Sequence, residues 1–229
     1  MTPALTTGIP AALLAAVAMA GCAGGTGGAV RASSPSAANE RGDLAAIAKA
    51  RADSARYPYT AADVHFMSAM IGHHAQAIVV SNWAATHGAG ASVRTLAERI
   101  INAQQDEIAT IQMWLRDRQL PVPEAHATGV KMMMNGAEHV MTMPGMLSEA
   151  QLKQLDQARG KQFDRLFLTS MIQHHRGAVV MVKELFGTTG AGQDETVFKF
   201  ASDVSVDQTT EIARMEKMLV TLLLGSQSP

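Results

Sequence analysis

From about Tyr57 to Leu224, apolar residues recur at three- and four-residue intervals, the spacing that lines one side of an α-helix. Sustained two-residue alternation flanked by turn dipeptides, the mark of strands, is not found. Thr60 with Asp63 three residues on has the form of a capping box and opens a helix expected over Ala61–His87, ending near Gly88 and Gly90. A second helix is expected over Ala91–Arg118, stopped by Pro121. Ser148 with Gln151 opens a third in the same way; it should run through Gly160, bent there, to Phe186. Gly187 to Gly192 then turns the chain into a fourth helix over Glu195–Leu224. The fold class is therefore all-α.

These helices repeat. Asp63 to Ala77 lies over Asp164 to Ala178 at a constant offset of 101 residues, with Asp, Phe, Met, Ile, His, His and Ala identical. Gln104-x-x-Glu107-Ile108-Ala109 lies over Gln208-x-x-Glu211-Ile212-Ala213. Each half reads as one helical hairpin, and two such hairpins favour a four-helix bundle that buries one apolar stripe per helix. The connector, residues 121–147, is polar and Met-rich and has to cross between them.

Ahead of this domain, Ile9 to Ala20 is a short apolar run ending at Met19-Ala20-Gly21-Cys22. It is roughly half the ~20 residues that a membrane-spanning helix needs, so it reads as a signal peptide. Cys after Ala-Gly resembles a bacterial lipobox. The implied organisation is a lipoprotein signal peptide over 1–21, a lipidated Cys22 with a flexible tether over 22–56, and the helical domain over 57–229. Residues 1 to 10 depart from the pattern because they contain no Lys or Arg.

Composition narrows the chemistry. Cys22 is the single cysteine, which leaves the mature domain without a thiol for a disulfide, a zinc-thiolate site or a nucleophile. A formal net charge of -1 and no basic cluster argue against a nucleic-acid partner. Fifteen Met stand against six Phe, two Tyr and two Trp. Met fills cores, but here it is also the one remaining soft sulfur ligand.

At about 100° per residue, Phe66, Met70, His73, Ala77, Val80 and Ala84 fall on one stripe, with His74 about 100° round from His73. Met70 precedes both histidines by one turn, and Met171 stands in the same relation to His174 and His175. A buried imidazole without partners costs about 1 to 3 kcal/mol. The bland explanation gives each ring a neighbouring acceptor, with Asp63, Glu107, Asp164 and Glu211 available. Two His-His pairs at equal spacing, each one turn from Met, favour a metal ion instead, with Glu107 and Glu211 either ligating it or fixing the imidazole tautomer. Imidazole with thioether in a cysteine-free site suits copper, above all Cu(I); zinc and iron are the other candidate cations. In the connector, Met132 to Met134, His139, Met141, Met143 and Met146 crowd more sulfur and one imidazole together, either as ligands or as core filler. Because imidazole binds metal in its neutral form, coordination is expected to weaken below the ordinary His pKa of ~6.5.

Asp-x-x-Phe-x-x-x-Met-Ile-x-His-His-x-x-Ala, found twice, with Met143-Pro144-Gly145-Met146 and the two Gln-x-x-Glu-Ile segments, resembles the secreted bacterial family known as domain of unknown function 305. The resemblance spans nearly all of Tyr57 to Leu224. It implies a ferritin-like bundle outside the cytoplasm, in a family with periplasmic copper binders implicated in copper resistance. It also implies His73, His74, His174 and His175 as binding residues, with Met70, Met171 and Met143 to Met146 as sulfur ligands. Two positions depart between the repeats: Gly177 stands where the first repeat has Gln76, and Leu168 where it has Met67. Unequal affinity at the two sites follows.

Rival functions are a ferritin-like di-metal oxidase and a metal-free module tethered to the membrane. The oxidase needs four carboxylates, two of them in Glu-x-x-His, and the chain has no Glu-x-x-His. The reading adopted is a copper-binding lipoprotein of the cell envelope rather than a conventional enzyme. Its partners would be the metal ion, the membrane through its lipid, and either a copper-transfer protein or a second copy of itself.

Overall fold

The computed structural model describes residues 35–56, 58–124, 130–134 and 137–225, with side chains described from residue 42 on except at 53–56 and 130–141. The proposed signal peptide and Cys22 lie outside the described residues. Six helices account for most of the rest: α1 (Pro35–Arg56), α2 (Ala61–Asn82), α3 (Ala91–Asp117), α4 (Glu149–Gln157), α5 (Gly160–Gly187) and α6 (Glu195–Gly225). Among the described residues no helix is long and apolar enough to cross a membrane.

Both capping boxes form. Thr60 and Asp63 close reciprocally on α2, and Ser148 and Gln151 on α4, satisfying backbone N–H groups that a first turn leaves without partners. Three expectations need correction. The stretch expected to be a tether from 22 to 56 contains α1, so 35–56 is helical. The third helix is broken, not bent: Ala158 and Arg159 are extended, and Gly160 opens α5 at φ 54°, donating its N–H to the carbonyl of His87 at 2.9 Å. Finally, the connector holds a two-stranded antiparallel hairpin, β1 (Val130–Met134) with β2 (Ala137–Met141), in which Met132 faces His139 along the ladder. Asn135-Gly136 between the strands is the dipeptide that favours two-residue hairpin turns, so the signal was present in the sequence.

Helix α2 packs on α3, α5 on α6, and α2 on α5. Two apolar clusters fill the interior. The first takes Phe66 to Ile71 of α2 and Ala178 to Leu185 of α5; the second takes Ala77 and Val80 of α2, Ala84 of the 3-10 turn that follows it, and Phe163 to Ile172 of α5. Helices α2 and α5 therefore run antiparallel, and the stretch of each that lies between its two contributions holds the histidines. The hairpins also fasten each other's turns. Asp63 accepts from the N–H of Gly192 at 2.6 Å, and Asp164 from the N–H of Gly90 at 3.1 Å. The repeated aspartates are thus turn fasteners between hairpins, not partners of the histidines.

Candidate metal centre

His73, His74, His174 and His175 are all fully buried. They form a polar layer between the two apolar clusters, and the rings of His73 and His174 lie with centroids 3.8 Å apart, tilted by 39° to each other, across the contact of α2 with α5. Helix periodicity explains their depth: both members of each pair face the interior because α2 and α5 are covered on more than one side.

Each ring presents Nε2 to a fixed oxygen. His73 Nε2 lies 3.0 Å from the carbonyl of Pro144, and His174 Nε2 lies 3.0 Å from the carbonyl of His73. His175 Nε2 meets Glu211 Oε2 at 2.7 Å. His74 Nε2 lies 2.8 Å from Glu107 Oε2, close enough for a charge-assisted pair though off the line of a good hydrogen bond. Carbonyl and carboxylate oxygens only accept, so in the neutral rings Nε2 carries the proton and Nδ1 bears the lone pair. All four Nδ1 atoms are buried and without a hydrogen-bond partner.

Burial, reinforced by the neighbouring His74, lowers the pKa of His73 to about 3. His174 is likewise held well below 6.5 by burial and then by His73, His175 and His74. The expectation that coordination fades below pH ~6.5 therefore does not apply to these two rings, whose lone pairs stay unprotonated further into acid.

Sulfur lies on both sides of the layer. Met70 packs in the first cluster with Met67, Met143, Met146 and Met181; Met171 packs in the second with Met215. Met70 and Met171 are fully buried. The Met143 to Leu147 loop is clamped between α2 and α5: Gln76 grips Leu147 through both N–H and carbonyl at 2.6 and 3.1 Å, and Gln173 donates to the carbonyls of Gly145 and Met146. A Cβ on Gly177 would stand 1.9 Å from the Pro144 carbonyl oxygen, so glycine there is what lets the loop close onto α5. The sulfur of Met146 accepts from the N–H of Met143 at 3.4 Å. Gln76, Gln173, Gly177 and the Pro144 carbonyl escaped the sequence reading as site residues; the Gln76/Gly177 difference between the repeats was their signal. The side chains of His139, Met132 to Met134 and Met141 lie outside what is described.

Among the described residues, no group of three or more His, Cys, Asp or Glu side chains is placed to hold a metal ion by itself. Of the repeated carboxylates, Asp63 and Asp164 lie at the turns, away from the histidines, and Glu107 and Glu211 each stand beside one imidazole.

A family model described as "Domain of unknown function (DUF305)" matches residues 63–219. No curated protein matches the chain. Solved structures do. A DUF305 protein of Streptomyces coelicolor is 29% identical at a TM-score of 0.59, covering 70% of this chain and 93% of its own. A DUF305 fragment of Deinococcus radiodurans is 28% identical at a TM-score of 0.59, covering 72% and 99%. CopM in its Cu(II)-bound form is 27% identical at a TM-score of 0.53, covering 69% and 96%. CopM has also been solved with Cu(I) and with Ag.

Proposed function

We propose that this chain, which belongs to the DUF305 family, is an exported, lipid-anchored protein that binds copper through histidine and methionine side chains of a ferritin-like four-helix bundle. It sequesters the metal outside the cytoplasm or passes it to a partner protein, without chemistry on a substrate. One observation carries the reading: four buried Nδ1 lone pairs have no hydrogen-bond partner, while Nε2 of the same rings faces an oxygen acceptor. That is the tautomer a metal-ligating imidazole needs, held by the second nitrogen. With no nitrogen-and-carboxylate group complete in itself, thioether sulfur from Met70, Met171 or the Met143 to Met146 loop completes the donor set, which selects Cu(I) over zinc. The copper- and silver-bound forms of CopM support the choice of a soft cation. Export and the lipid anchor rest on the apolar run before Cys22.

The test is equilibrium dialysis of the purified chain against Cu(I), Cu(II) and Zn(II) with element analysis. Copper should be retained over zinc, and His74→Ala with His175→Ala together should weaken it by about 100-fold or more, with helix content by circular dichroism nearly intact. Full copper stoichiometry in that double variant would move the site to the connector and sink the histidine assignment.

A further inference from the structure

Three contacts hold the four long helices α2, α3, α5 and α6 together, and the side between α3 and α6 lacks comparable close packing. A cleft of about 250 Å³ opens there, lined by Arg99, Gln104, Glu107, Asp207, Gln208 and Glu211 among others. Gln104 and Gln208, at repeat-related positions, are 2% and 3% exposed. Both polar atoms of the Gln104 amide and the Oε1 of Gln208 have no hydrogen-bond partner. Leaving buried amide groups unmet costs on the order of 1 to 3 kcal/mol each, and here it occurs on both walls of one cleft.

The lining is also short of positive charge. Three carboxylates share one guanidinium, that of Arg99; Glu107 and Glu211 each meet an imidazole of the histidine layer through Oε2, and the nearby Lys199 is already paired with Asp203. The carboxylates of Glu107, Asp203 and Glu211 all stand close enough to act on that of Asp207. Carboxylates crowded in this way gain from a cation between them.

We propose that this cleft binds one hydrated divalent cation of the hard class through carboxylate and amide oxygens of α3 and α6, separately from the soft donors of the histidine layer. Amide and carboxylate oxygen is the donor set for Mg²⁺, Mn²⁺ or Ca²⁺, and sulfur plays no part in it. Since no three acidic or imidazole side chains are placed to ligate directly, the ion keeps part of its water shell, for which the cleft has room. The proposal does not depend on the copper reading.

Mn²⁺ alone, titrated into the purified full chain and followed by the electron paramagnetic resonance of the free ion, tests it. The expected result is about one Mn²⁺ per chain, displaced by excess Mg²⁺. Asp207→Asn should weaken Mn²⁺ binding by about ten-fold or more, and so should Gln104→Leu with Gln208→Leu, while Cu(I) binding of Asp207→Asn is unchanged. Circular dichroism of each variant keeps loss of fold apart from loss of binding. No retained Mn²⁺, or binding that either variant leaves untouched, overturns the site and leaves a cleft filled with water. Displacement of Mn²⁺ by stoichiometric Cu(I) overturns it too, since the two sites would then be one. Mn²⁺ binding with both variant effects, in a chain that fails to retain copper, supports this site and refutes the copper reading.

Discussion

The two helical hairpins bring the same His-His pair and the same Gln-x-x-Glu partner to the centre of the molecule, yet they surround them differently. His74 with Glu107 and His175 with Glu211 agree in distance to within 0.1 Å, although only the second pair is aligned as a hydrogen bond. The inner histidines differ more: His73 leans on the Pro144 carbonyl of the connector, and His174 on the backbone of His73 itself. The difference begins in one substitution between the repeats. At the first hairpin Gln76 reaches out and holds the connector loop; at the second, Gly177 withdraws and lets the loop in. One loop therefore caps both hairpins and delivers its sulfurs to the cluster that already holds Met67 and Met70. Duplication supplied two equal histidine pairs, and the asymmetric loop made their surroundings unequal.

Acid is the strongest probe of what the hairpins share. His73 and His174 are buried neutral with folded pKa values below the unfolded 6.5, so protons bind the unfolded chain first. Their contribution to stability is fully present above pH ~6.5 and is lost as pH falls towards about 3, the value for His73. Between pH 7.5 and 5 the loss should be about 2 kcal/mol for His73, with a further loss of the same sign from His174. Urea unfolding of the metal-free chain across that range measures it, and replacing either histidine with Asn should reduce it. A slope unaffected by both replacements would mean that the rings are hydrated.

Gly177→Ala attacks the loop from the second hairpin. Its methyl group collides with the Pro144 backbone, so the loop has to lift, at about 3 kcal/mol by thermal or urea unfolding. Gln76→Ala is the counterpart on the first hairpin. It leaves the buried N–H of Leu147 without an acceptor and should cost about 2 kcal/mol. If the two substitutions left stability unchanged, the loop would not be clamped as described.

The smallest effect concerns sulfur. Met171→Leu should weaken Cu(I) binding by roughly ten-fold, about 1.4 kcal/mol, in competition with a chromogenic chelator. Met70→Leu should weaken it less, because Met67, Met143, Met146 and Met181 are buried in its cluster, whereas the cluster of Met171 holds buried Met215 with Met218 partly buried against it. Equal losses would show that the extra sulfurs stand idle. Leu168→Met, which copies the first repeat into the second, should narrow the gap.

Much of this was legible along the chain. Period, caps and the 101-residue repeat located the four long helices and both histidine pairs, because helix formation and burial of one side depend on residues a turn apart. Nearby signals were also misread. Asn135-Gly136 marked the connector hairpin, and Gly160 marks a break where a bend was expected. Asp63 and Asp164 looked like partners for histidine, but each fastens a turn of the opposite hairpin, a contact spanning 129 and 74 residues that no local pattern encodes.

By itself the sequence determined the helices, their duplication and the donor types: imidazole and thioether, with no thiol after Cys22. Those are properties of residue identity and short-range spacing. Only the tertiary structure decided which nitrogen of each ring keeps its proton and which lone pair is left open. It also set which cluster receives the loop's sulfurs and which side of the helix assembly stays open to solvent. Each of these depends on an oxygen, a glycine or a gap supplied by a distant part of the chain, brought there by the packing of α2 against α5.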